Sequence, residues 1–293
     1  MKINNVFLLI VFLSLIACNK DAQKNNQQTE AAFVSVQGQE LVTPDGKPFV
    51  MKGINLGNWL NPEGYMFLFQ DASSYRLIDE AFKEMVGPDF VNNFWHQFQE
   101  NYITKEDIAY IRQTGMNSIR IPFHYKLFTN QDFMGKNDPE RGFELLDRVI
   151  GWCKEEGLYV VLDMHDAPGG QTGDNIDDSY GYPWLFESAQ SQQLFNSIWK
   201  RIAEHYADES TVLGYDLLNE PIAHYFEDKD SLNSKLETVY VNATKAIREV
   251  DNNHIVILGG AQWNTNFDVF KNPNFDPKIM YECHTYWSDT TQQ

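Results

Sequence analysis

Cysteine is scarce in this chain, three in 293 residues, and no spacing among them suits a metal ligand set. Cys153 and Cys283 sit in apolar patterns, which reads as two buried free thiols rather than a disulfide. Positive charge is short as well: 23 lysines and arginines stand against 41 aspartates and glutamates, a net charge of -18. Such a surface repels a phosphate backbone, so nucleic acid is not an expected partner. The apolar block Val6 to Ile16 falls short of a comfortable bilayer span. No glycine-rich phosphate turn follows the first candidate strand, which disfavours a nucleotide-binding doubly wound sheet. No cofactor or metal is expected.

Aromatic residues are plentiful, at 14%, with 7 Trp and 14 Tyr. Flat rings stack on the C–H faces of pyranose sugars, although most of these belong to the core. The N-terminus reads Lys2, the block Val6 to Ile16, then Ala17-Cys18: a charged start, an apolar centre and a small-residue exit. That is the pattern of a secretory signal over residues 1–18. Its ending, Leu15-Ile16-Ala17-Cys18, resembles a bacterial lipobox, in which Cys18 becomes the acylated first residue. The expectation is an exported lipoprotein held at the outer membrane or cell surface, with a periplasmic or secreted protein as the alternative. Residues 19–32 are polar and rich in Gln and Asn, as a disordered tether would be.

From Phe33 onward the chain alternates strands and helices. A small hairpin over Phe33 to Pro48 precedes a first strand, Phe49 to Asn55, and a long loop with helices near Tyr75 to Val86 and Asp89 to Gln99. Thr104-Lys105-Glu106-Asp107 caps the next helix. Strands are expected at Asn117–Pro122, Tyr159–His165, Leu213–Leu218, His254–Gly260 and Lys278–His284, with amphipathic helices between them. Polar residues collect just after each strand, which is the pattern of a (β/α)8 TIM barrel, with six of its eight strands present over 33–293. The expectation is a chain truncated before the seventh strand, inactive alone.

Leu213 to Leu218 runs apolar and then delivers Asn219, Glu220 and Pro221. A glutamate at the mouth of an apolar barrel is partly desolvated, which raises its pKa and lets it hold a proton as a general acid. Asn55, Arg120, His165, His284 and Tyr286 sit at the tips of other strands. Singly each has a structural reading; together at successive tips they suggest one site. The acidic, aromatic loop Thr172 to Trp184 offers Trp184 or Tyr180 for stacking on a sugar, and Trp59 and Trp287 are comparable; wall packing is the alternative for each. Its aspartates do not match a calcium loop.

These stretches resemble glycoside hydrolase family 5, the cellulase-like barrels. The resemblance rests on Leu213 to Ile222, on Ser118 to Phe123, on Val161 to His165 and on His284-Thr285-Tyr286. Gly53 to Trp59 and Ala167 to Gln171 are closest to members acting on β-glucans. The family implies a retaining mechanism, which needs two carboxylates about 5–5.5 Å apart. It implies Glu220 as acid/base, Asn219 on the sugar 2-hydroxyl, Arg120 beside the nucleophile, and His165, His284 and Tyr286 lining the sugar subsite. The nucleophile would be a seventh-strand glutamate, so none is assigned in this chain; Glu282 is expected to alternate away from the site. The implied function is hydrolysis of a β-glucan by a monomer. A β-mannanase, a glycolipid-directed glycosidase and a non-catalytic glycan-binding lipoprotein are the alternatives.

Overall fold

The computed structural model describes residues 33–174 and 176–286. The signal, lipobox and tether expectations, with Cys18 among them, lie outside the described residues, as does Trp287. The chain divides into two units, residues 1–49 and 50–293. In the first, β1 (Ser35–Gln37), β2 (Glu40–Val42) and β3 (Pro48–Phe49) pair antiparallel in that order.

The second unit is built on six parallel strands: β4 (Gly53–Asn55), β5 (Ser118–His124), β6 (Tyr159–Asp166), β7 (Val212–Asp216), β8 (Ile255–Gly259) and β9 (Ile279–Glu282). Their order across the sheet is their order in sequence. A doubly wound sheet reverses order at a switch point, so this topology decides for the barrel. Among the described residues the six strands form an incomplete (β/α)8 barrel.

Local chemistry accounts for the elements. Thr104 and Asp107 form a reciprocal capping box at the head of the helix Lys105–Gln113. Gly157, with φ 66°, ends the helix Arg141–Glu156 in the left-handed region that glycine enters without strain. That helix turns Leu145, Leu146, Val149, Ile150 and Cys153 onto the sheet. Each fully buried Leu or Ile contributes about 1.5–3 kcal/mol. All five residues of β8 are buried, as a strand covered on both faces must be.

Three expectations need correction. The first barrel strand is only Gly53–Asn55, because the Asn117 side chain holds the preceding backbone, accepting from Lys52 N at 2.8 Å and donating to Val50 O at 2.8 Å. The strand before Asn219 stops at Asp216, leaving Leu217 to Glu220 as buried coil. Cys153 is buried as expected, its thiol pushed up to about 12 by burial, but Cys283 is exposed, because the chain has left β9 by that residue.

Candidate active site

At the C-terminal mouth of the strands a cavity of about 330 Å³ is lined by Asn55, Glu63, Tyr65, Arg120, His165, Asn219, Glu220, His284 and Tyr286 with their neighbours. Six of the sequence-nominated residues therefore meet Glu220 in one place. The seventh does not: Trp184 packs on Tyr182, ring centroids 4.8 Å apart, and lines a separate cavity of about 200 Å³ with Arg76, Lys126 and Tyr180. Trp59 is likewise no sugar platform; it is fully buried, and its indole N–H donates to Gln99 O at 2.9 Å.

Arg120 is the electrostatic centre of the floor. Its Nη1 lies 2.8 Å from Asp163 Oδ2, its Nε donates to Asp216 Oδ2 at 2.8 Å, and its Nη2 donates to Asn219 Oδ1 at 3.2 Å. Both aspartates are fully buried, where an unpaired charge would be expensive. Burial works against the guanidinium, but Asp163, Asp216 and Glu282 outweigh it and raise its pKa. Asp163 Oδ2 also meets His165 Nδ1 at 2.7 Å, fixing that ring with Nε2 3.8 Å from Glu63 Oε1. Glu63 was not singled out from sequence. Its backbone N–H donates to Asn58 Oδ1 at 3.1 Å, and burial raises its pKa.

Glu220 adopts φ 47°, a left-handed conformation rare for a glutamate. Its backbone is held from the loop after β6: Thr172 Oγ1 donates to Glu220 O at 2.7 Å, and the buried Gln171 Nε2 donates to Asn219 O at 2.8 Å and to His165 O at 2.7 Å. Asp177 accepts from the N–H groups of Thr172 and Gly173 at 2.7 and 2.8 Å and so shapes that loop in turn. The Glu220 carboxylate accepts from His284 Nδ1 at 2.7 Å and from the Tyr286 hydroxyl at 3.0 Å, both on Oε1.

This overturns the expected raised pKa. Burial does push Glu220 up, but the hydrogen bond and charge of His284 and the Tyr286 hydroxyl outweigh it and hold the carboxyl below its ordinary value. Burial pulls His284 down, yet Glu220 and Glu282 raise it to about 10. At neutral pH the pair is carboxylate and imidazolium. Glu282 also departs from expectation: its carboxylate faces inward, 3.7 Å from Arg120 Nη2.

A family profile for Cellulase (glycosyl hydrolase family 5) matches residues 79–293, well over half of the chain. The chain belongs to glycosyl hydrolase family 5. Among curated relatives of this family 5 chain, a beta-xylosidase from Phanerodontia chrysosporium is 32% identical over 242 residues, 82% of this chain and 48% of the relative. Endoglucanase C from Acetivibrio thermocellus is 29% identical over 235 residues, covering 80% of this chain and 57% of that one. The chain thus spans about half the length of the curated relatives it matches. Among solved structures, the beta-glucanase SdGluc5_26A from Saccharophagus degradans in complex with cellotetraose superposes with a TM-score of 0.56 at 20% identity, covering 87% of this chain and 62% of that chain. That likeness concerns the fold.

Proposed function

We propose that this chain carries the acid/base side of a retaining glycosidase that hydrolyses β-glucans. The observation that carries the reading is Glu220 Oε1 held by His284 and Tyr286 over the Arg120 floor, with Asn219 alongside. Glu220 protonates the leaving glycosidic oxygen and later takes a proton from water. Asn219, Asn55 and His165 hold sugar hydroxyls, while Arg120 fixes the charge of the floor. The nucleophilic carboxylate comes from a further strand, as the family pattern implies. A β-glucan fits the acidic, aromatic-rimmed cavity, and one of the relatives above is an endoglucanase. A general acid/base contributes about 10²–10⁴-fold. In the protein that carries both carboxylates, Glu220→Gln should therefore lower hydrolysis of natural glucan by at least that range, measured as reducing-sugar release. Unchanged turnover removes Glu220 from the role.

The reading extends to location. The Lys2, Val6 to Ile16 and Ala17-Cys18 sequence supports export and acylation at Cys18, with a monomeric enzyme on the outer membrane or cell surface. Cys18→Ala should leave an uncleaved precursor without fatty-acid label; label that persists would sink the lipobox reading.

A further inference from the structure

Glu282 ends β9 with its carboxylate turned into the barrel, and groups from three elements meet its Oε1. Asn264 Nδ2 donates at 2.9 Å, His284 Nε2 lies at 3.5 Å and Arg120 Nη2 at 3.7 Å. Asn264 reaches it from an unusual backbone. Gln262, Trp263 and Asn264 have φ of 51°, 58° and 59°, three successive residues in a region that L side chains normally visit singly. Gln262 stabilises the turn, donating to Asn233 Oδ1 at 2.9 Å and accepting from Asn266 Nδ2 at 2.7 Å. Strain maintained by its surroundings and aimed at one carboxylate suggests that the carboxylate has work to do.

That work concerns His284. Its Nδ1 is 2.7 Å from Glu220 Oε1 and its Nε2 is 3.5 Å from Glu282 Oε1. An imidazole facing a carboxylate at each nitrogen satisfies both only as a two-donor imidazolium. Resting on the reading of Glu220 as the acid/base group, we propose that Glu282 is a positioning residue that keeps His284 doubly protonated, so that the His284 and Glu220 pair carries one transferable proton.

The cycle balances. The proton moves from His284 Nδ1 to Glu220 and on to the leaving oxygen as the glycosidic C–O bond breaks and the anomeric carbon bonds to the second carboxylate. His284 is left neutral, with its remaining proton on Nε2 toward Glu282. Water then bonds to the anomeric carbon, releases that carboxylate, and returns its proton through Glu220 to Nδ1. The groups around the pair are Arg120 on β5, Asp163 and His165 on β6, Asp216 on β7, Glu63 and Tyr65 after β4, Tyr240 from the helix Lys229–Arg248, and Tyr286. Of these, Arg120 opposes the imidazolium. Asp216 is paired with Arg120, and burial followed by the Glu282 charge pushes its pKa up.

The test follows the His284 ring by NMR titration in the full chain, in Glu282→Gln and in the charge-conserving Glu282→Asp. Glutamine is isosteric and still accepts from Asn264, and circular dichroism checks that the fold is intact. His284 should titrate near 10 in the parent. It should fall by about 1–3 pH units in Glu282→Gln and recover most of that in Glu282→Asp. In the protein that includes the nucleophile-bearing strand, the alkaline limb of kcat/KM for a β-glucan oligosaccharide, whose leaving oxygen needs the proton, should move down with it. A His284 titration unchanged by Glu282→Gln overturns the proposal whatever the activity, and so does a shifted titration with an unmoved alkaline limb. Failure of the parent reading looks different: turnover indifferent to Glu220→Gln while His284 still shifts, which also removes the catalytic use of the proton.

Discussion

Two of the carboxylate and imidazole pairs near the mouth of this barrel hold their imidazoles in different protonation states. At the tip of β5, His124 Nε2 lies 3.4 Å from Asp178 Oδ2; beyond β9, His284 Nδ1 lies 2.7 Å from Glu220 Oε1. Burial lowers both imidazoles. His124 ends at about 4, through burial first and then the Lys126 ammonium that shares Asp178. His284 ends at about 10, because the hydrogen bond to Glu220 is joined by a second carboxylate, Glu282. The third group pushes down in one pair and up in the other. The first pair pins a loop, with Asp178 also accepting from the Arg76 backbone N–H at 3.0 Å. The second keeps a mobile proton beside the cavity.

The largest expected disturbance of this contrast is at Arg120, the cation that balances the acidic side. Arg120→Leu strands Asp163 and Asp216 in the interior, and breaking a buried pair this way costs about 3–5 kcal/mol. Urea denaturation should show a loss of that size; a loss below about 1 kcal/mol, the scale of an exposed ion pair, would mean the cage is solvated.

Next comes Lys126→Met. Removing the ammonium should raise the His124 titration above its value of about 4 and leave His284 in place. An unmoved His124 signal would assign its low pKa to burial alone.

The smallest effect is a pH dependence of stability. The folded pKa of His284 is raised above its ordinary 6.5, so its contribution is complete below 6.5 and is lost as pH rises through about 10. Glu220 is held below its ordinary 4.5, so its contribution is complete above 4.5 and is lost as pH falls below it. The pair therefore stabilises most between 4.5 and 6.5. Glu220→Gln should flatten both flanks in thermal melts taken from pH 4 to 10, and an unchanged profile would detach the pair from stability.

Much of the site was legible because barrel strands converge. Asn55, Arg120, His165, Asn219, Glu220, His284 and Tyr286 all stood near the ends of apolar runs, and all line one cavity. Asp163 and Asp216 were not nominated, although a charge within a buried strand needs a partner; Arg120 lies one strand from Asp163 and two from Asp216. Glu63 gave no such signal, because its place depends on the Asn58 turn rather than on a strand. Glu282 was legible but misread, because period two places it on the same face as His284 two residues on, where the structure has it. Trp184 had the right chemistry on a loop whose path is fixed locally by Asp177 and, across 48 residues, by Gln171 on Asn219. The Gln262 to Asn264 turn has no glycine of its own, and the Gly259-Gly260 pair just before it was absorbed into the end of the expected strand.

Gly259 faces that turn, and a Cβ added there would lie 2.1 Å from Asn264 Oδ1. Gly259 is also the residue that pairs with Glu282 across β8 and β9. A single methyl group at 259 would therefore displace the amide that grips Glu282 without touching the carboxylate itself.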